Sequence, residues 1–239
     1  MVTDLKTNYT SPAGREFSMA AARISGINPA ASVLDMGCGY GEAAATLAAE
    51  FRCRVTAIDS GPENIELAKT FAAERHVAHL ITFETQDILL CDYSESKCDL
   101  LLAEGGIFSF IGRKEGLRLA NAWLQENGWL AFSDLIMLSE KVPEEVRAVF
   151  EDEKYHYESE SSYRTLVAAA GFDVQFMCLV PPSGWDNYYG HMARRLEDSK
   201  GVFADRRVKL GFHREIDVFY RLEALKYAGY LFCLARQKE

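Results

Sequence analysis

Ser32-Val33-Leu34-Asp35-Met36-Gly37-Cys38-Gly39-Tyr40-Gly41-Glu42 starts as an apolar run and ends in three glycines at alternate positions. Ala43-Ala44-Ala45-Thr46-Leu47-Ala48 then opens an alanine-rich helix. Glycines so spaced let a backbone turn sharply and approach a ligand closely. The helix that follows offers free N–H groups at its start. Strand, glycine turn and helix in this order form the first unit of a doubly wound α/β sheet. The next strand, RVTAID (54–59), ends in Asp59, whose two acceptor oxygens and lack of donors suit the paired hydroxyls of a ribose.

A dinucleotide fingerprint would place its third glycine at position 42, which is Glu42. A carboxylate at that helix entrance repels a pyrophosphate. With Asp35 just before the glycines, it favours a ligand carrying positive charge. The loop reading therefore selects a nucleoside bearing cationic groups, contributed to by Asp35, Gly37, Cys38, Gly39, Gly41 and Asp59. Cys38 serves as a small spacer offering only its backbone.

Outward from this unit the alternation continues. PENIELAKTFAAER (62–75) reads as a helix with Pro62 in its first turn, ITFETQD (81–87) as strand three and KCDLLLAE (97–104) as strand four. A helix over 113–126 is expected to stop at Asn127-Gly128, before strand five at 129–135. Helices are expected at 143–157, 161–171 and about 204–225, with strands at 172–180 and 227–236. PPSGWDNYYGHMARRLEDSKG (181–201) reads as a turn followed by an aromatic helix. The chain is expected to form one domain over residues 1–239, with residues 1–30 as a cap and 139–158 and 181–225 as insertions.

Composition narrows the partners. The 239 residues are 49% apolar and 26% charged, values of a globular chain rather than a disordered or fibrous one. The net charge of −9, with acids diluting the basic stretches at 193–195 and 205–209, speaks against a nucleic-acid or anionic-membrane partner. No apolar run reaches membrane-spanning length and the start lacks a signal-peptide pattern, so a cytoplasmic location is expected. The six cysteines form no CxxC pair and read as reduced core residues, and no metal site is expected. The expected partner is a small molecule; monomer and homodimer both stay open.

The runs VLDMGCGYGEAAATLA (33–48), VTAIDSGPENIELAK (55–69), ITFETQDI (81–88), CDLLLAEGGIFSF (98–110) and NGWLAFSDL (127–135) resemble, in order, the motifs of the class I, Rossmann-like S-adenosylmethionine-dependent methyltransferases of the small-molecule type. The ubiquinone-biosynthesis enzymes and uncharacterised bacterial relatives are of this kind. The likeness is strong over residues 17–135. It implies a seven-stranded sheet of order 3-2-1-4-5-7-6 with strand seven antiparallel, S-adenosylmethionine as cofactor and S-adenosylhomocysteine as product. It places the ribose acid on Asp59, followed by Ser60, and the adenine contacts on Asp87 and Ile88.

Ligands of doubly wound sheets bind beyond the carboxyl ends of the strands, where strand order reverses. Glu104 and Gly105 should therefore border the transferred methyl group, with Phe108 supplying apolar surface. Tyr9 from the N-terminal stretch and Trp185, Tyr188, Tyr189 and His191 from the second insertion are expected to close over substrate as a helical lid. Tyr188 and Tyr189, adjacent on one helix, cannot both face inward. An oxygen, nitrogen or carbon-acid acceptor needs a general base, for which Glu104 and His191 are the candidates; a thiolate or halide needs none. Two other readings compete: a nicotinamide-dependent oxidoreductase, against which Glu42 argues, and a non-catalytic S-adenosylmethionine-binding protein.

Overall fold

The structure is a computed structural model that describes Tyr9 and residues 11–150, 158–198 and 205–238. Seven strands form one sheet of order β3-β2-β1-β4-β5-β7-β6. They are β1 (Ser32–Met36), β2 (Arg54–Asp59), β3 (Ile81–Thr85), β4 (Cys98–Ala103), β5 (Leu124–Met137), β6 (Phe172–Leu179) and β7 (Ala228–Gln237). β1 pairs in parallel with β2 and β4, β2 with β3 and β4 with β5, whereas β7 runs antiparallel to both neighbours. This is the topology expected.

One face is covered by α1 (Gly14–Ile24), α2 (Glu42–Phe51) and α3 (Pro62–Glu74), joined by α6 (Glu144–Phe150), α8 (Pro182–Asp198) and α9 (Arg206–Arg221). The other carries α4 (Ile107–Ile111), α5 (Arg113–Trp123) and α7 (Glu160–Ala169). Alternation along β1 sends Val33 to the first layer and Leu34 and Met36 to the second. With both faces covered, β1 is buried from Val33 to Met36, which is why it reads as a continuous apolar run. The helices of the first layer, joined by Phe110 and Ile107 of α4, flank the glycine loop.

The helix expected over 113–126 ends at Trp123 instead. Trp123 and Leu124 are both buried, and Leu124 already pairs with Cys98 in the sheet. Asn127, at φ 61°, then turns inside the irregular first part of β5 rather than capping a helix. The segment after β6 turns helical at once, from Pro182. Gly184 makes this possible: a Cβ there would stand 2.5 Å from the Pro12 carbonyl oxygen, so α8 crosses the N-terminal segment at backbone contact. Of the helix expected over 143–157, α6 accounts for Glu144–Phe150, and 151–157 fall outside the described residues. The N-terminal stretch holds a helix, α1, that the sequence reading did not mark.

On the far face, Asp134 is fully buried and accepts bonds from Ser109 Oγ (2.7 Å), Tyr163 Oη (2.8 Å) and Arg113 Nε (3.0 Å). It ties α4, α5 and α7 to β5. The six cysteines are free, and four of them are buried. Among the described residues no helix is long and apolar enough to cross a membrane.

Candidate active site

Gly37, Gly39 and Gly41 all take positive φ, at 76°, 52° and 75°. Gly37 also lies against α4: a Cβ there would meet Ile107 Cδ1 at 2.2 Å. The loop is pinned from below by Gly37 and Cys38 N–H groups donating to the Ile58 carbonyl (2.9 and 2.8 Å). It is pinned from the side by Asp59, whose Oδ2 accepts from Gly39 N (2.9 Å). Asp59 Oδ1 accepts from Gly61 N (2.8 Å) and Asn64 Nδ2 (2.9 Å). Its carboxylate thus braces both the glycine loop and the entry to α3, with one of its roughly four acceptor positions left over. Ser60 is exposed and does not cap α3.

Tyr9, Asp35, Glu42, Glu104 and Gly105 meet around an enclosed space of about 30 Å³ beside this loop, with Gly37 and Cys38 in its wall. Among the described residues no lysine, arginine or histidine lines it. Asp35 is buried and its Oδ2 has no hydrogen-bond partner. Burial, and then the charge of Asp59, push its carboxyl up to about 7. Glu104 Oε1 accepts a 2.8 Å bond from Ser18 Oγ, which itself accepts from Tyr9 Oη (3.2 Å). Burial, with Asp35 adding to it, still lifts Glu104 to about 8. Burial and the Glu104 charge raise the Tyr9 hydroxyl well above its ordinary value. Burial raises the Cys38 thiol too, so it stays protonated and offers no nucleophile. Glu42, buried at the start of α2, pairs with Arg75 at 3.4 Å. Together these groups make a pocket of concentrated negative potential that a small cation would relieve.

Two larger cavities flank it. One, of about 310 Å³, shares Gly105 with the acidic space and is walled by Phe110, Trp185, Tyr188 and Tyr230. The other, of about 480 Å³, shares Tyr9 and Glu42 and reaches Arg75, His191 and Arg194. Gly105 N donates to Ser133 Oγ (3.2 Å), and Ser133 Oγ lies 3.3 Å from Ser11 Oγ. The N-terminal segment is thereby tied to the ends of β4 and β5. Two broader hollows, of about 820 and 830 Å³, lie between α5 and α7 and contain none of the residues expected at the site.

Several expectations need correction. Phe108 faces the opposite core, 1% exposed and packed against Phe132, because α4 turns it inward; its neighbour Phe110, half exposed, lines the 310 Å³ cavity instead. Tyr189 is also a core ring, 1% exposed, with its hydroxyl donating to Glu215 Oε1 (2.9 Å). Tyr188 lines both flanking cavities, so only it of the pair faces open space. His191 lines the 480 Å³ cavity, away from the acidic space. Burial, Arg195 and Arg194 lower it to about 4, so the near-neutral titration expected of it does not hold. Asp87 and Ile88 are not among these corrections: Asp87 is exposed and caps a single turn through Leu89 N (2.9 Å), while Ile88 is buried.

Glu215 and Phe212 were not singled out from sequence. The signal was present: Phe212, Glu215, Ile216 and Phe219 fall at helical spacing, so Glu215 is one acid in an otherwise apolar stripe.

Residues 27–194 match the methyltransferase domain family. The chain is 28% identical over 180 residues to the sarcosine/dimethylglycine N-methyltransferase of Halorhodospira halochloris, covering 73% of this chain and 63% of that protein. It is 24% identical over 164 residues to the phosphoethanolamine N-methyltransferase of Triticum aestivum, covering 69% of this chain and 32% of that protein. The chain therefore spans less than two thirds of either relative. The crystal structure of an S-adenosylmethionine-dependent methyltransferase from Thiobacillus denitrificans in complex with S-adenosyl-L-homocysteine superposes with a TM-score of 0.77 at 20% identity, over 96% of this chain and 94% of that one.

Proposed function

The chain belongs to the methyltransferase domain family, and from that premise we propose that it transfers the methyl group of S-adenosylmethionine to a small-molecule acceptor. The observation that carries this reading is the acidic space beside the glycine loop. Asp35, Glu42 and Glu104 surround it, and among the described residues an Asp35 oxygen has no partner and no positive side chain lines it. A methyl donor with an ammonium and a sulfonium fits these residues; a pyrophosphate does not. That is also the argument against a nicotinamide cofactor here.

The bound donor would supply an electrophilic methyl carbon on a cationic sulfur. The chain's own residues do the rest. Asp35 and the backbone of the glycine loop hold the amino-acid end. Asp59 accepts from the ribose with its remaining capacity, and Asp87 and Ile88 border the adenine. Gly105, with no side chain at the boundary between the acidic space and the 310 Å³ cavity, leaves a gap through which donor and acceptor meet. Glu104, the residue before it, lines the acidic space. Raised to about 8, it exchanges a proton near neutral pH, as a base for a protic acceptor must. Trp185 and Tyr188 from α8 help exclude water from the acceptor side.

Calorimetry with S-adenosylmethionine and S-adenosylhomocysteine tests the reading, followed by an acceptor screen that detects release of the demethylated product. Binding of both, and turnover with an acceptor, is expected. Failure to bind either one overturns the assignment; binding without turnover on any acceptor would favour a non-catalytic binding role.

A further inference from the structure

Among the described residues the 310 Å³ cavity holds one charged group. Phe110, Phe150, Trp185, Tyr188, Phe212 and Tyr230 supply rings to its wall, Glu215 is the single described acid, and no described lysine, arginine or histidine lines it. Glu215 Oε1 accepts from Tyr189 Oη (2.9 Å), and its Oε2 has neither a hydrogen-bond donor nor a cation among the described residues. The Tyr189 ring that holds it is itself fixed: Tyr189 packs on Phe219 with ring centres 4.6 Å apart, and Trp185 stacks on Phe219 at 5.1 Å.

Burial raises the Glu215 carboxyl above its ordinary value, and a cation beside it would restore the ionised form. Ring faces attract the same charge through their quadrupoles, and most strongly where water is excluded. A carboxylate or phosphate on the ligand would instead be repelled by Glu215 and would find no compensating cation. A neutral ligand would leave Glu215 desolvated and unmatched. The volume, at the lower end of the range for small-molecule sites, sets the scale at a few heavy atoms beyond a single ammonium.

We propose that this cavity is the acceptor site and that it selects an acceptor carrying a small organic ammonium as its recognition group, with Glu215 as the counter-ion and the surrounding rings as the cage. The assignment rests on the methyl-donor reading above for the word acceptor, but the charge preference rests on the cavity alone. Glu215 has a plainer role, anchoring the Tyr189 hydroxyl. Glu215→Gln separates the two, because its amide oxygen still accepts from Tyr189 while the charge is gone.

The test compares choline with 3,3-dimethyl-1-butanol, its neutral isostere, by saturation-transfer NMR on the full chain, with and without S-adenosylhomocysteine. Choline should saturate, with the alcohol weaker by about tenfold or more, a gap of roughly one decade of affinity. In Glu215→Gln the two should converge to within about threefold, with S-adenosylhomocysteine affinity unchanged. If that variant fails to fold, Phe212→Leu, which removes a half-buried ring, should reduce the choline preference several-fold. Equal binding of the two probes, binding of neither, or a preference that survives loss of the charge would overturn the proposal. A protein that selects choline but ignores S-adenosylhomocysteine would strike the methyl-donor reading and leave this one standing.

Discussion

Asp59, proposed above as the ribose acid, is already a structural brace. Its oxygens hold Gly39 N, Gly61 N and Asn64 Nδ2, so the group proposed for the ribose also sets the glycine loop. Asp59→Ala should therefore weaken S-adenosylhomocysteine binding by about 1–3 kcal/mol through lost hydrogen bonds, measured by calorimetry; unchanged affinity would remove Asp59 from the site. Glu104 invites a sharper comparison, because donor and product differ by the charge on sulfur. Glu104→Gln keeps an acceptor for Ser18 but loses the negative charge. It should lower affinity for the sulfonium donor about tenfold at pH 8 and for the neutral thioether product less than about threefold, one decade being roughly 1.4 kcal/mol. Equal losses would place Glu104 away from the sulfur. Both residues were legible in the sequence because they end strands, where a doubly wound sheet puts its ligands. His191 and Phe108 were misjudged for one shared reason. Residue type gives a side chain's chemistry, but its direction and surroundings decide what it does, and the burial of His191 or the inward turn of α4 is invisible in a linear reading.

The elements divide along the same line. β1 to β4 and the helices between them were readable because each is a short apolar run or a helical stripe punctuated by glycine or proline. The end of α5 was not, since burial of both Trp123 and Leu124 overrode the Asn127-Gly128 stop signal. The lid helices were legible as helices but not in their facing: the aromatic cluster on α8 is half core, through Tyr189, and half cavity wall, through Tyr188. On the opposite layer the joint between elements is Asp134. Ser109, Arg113 and Tyr163 reach it from three helices, and Arg113 reaches on to Glu158 at 3.5 Å. Asp134→Ala would leave a buried guanidinium without its main partner and two hydroxyls without an acceptor. A loss of about 3–5 kcal/mol is expected for breaking a buried pair from one side, read by urea denaturation with an unchanged m-value. A loss under 1 kcal/mol would mean that Arg113 finds solvent or Glu158 instead.

At the scale of the whole molecule, the acidic site makes folding and donor binding depend on pH in opposite directions. In the unfolded chain Asp35 and Glu104 release their protons near the ordinary carboxyl range, about pH 4. In the folded chain they hold them to about 7 and about 8. Between those limits the folded state carries more protons than the unfolded one, so its stability falls as pH rises, the reverse of the common salt-bridged carboxylate. A cation in the site reverses the preference by stabilising the ionised forms. Donor binding should then release protons, and affinity should climb from about pH 6 to pH 8, the window set by the two raised groups. Thermal melts across that range should show the ligand-free protein losing stability while the shift on adding S-adenosylmethionine grows. Calorimetry in buffers of different ionisation enthalpy should register the released protons directly. A donor-induced shift that is flat with pH, or protons taken up instead of released, would mean that the cation does not sit among Asp35, Glu42 and Glu104. In that case the unpartnered Asp35 oxygen would need another explanation, and the balance that makes this face of the sheet a donor site would be lost.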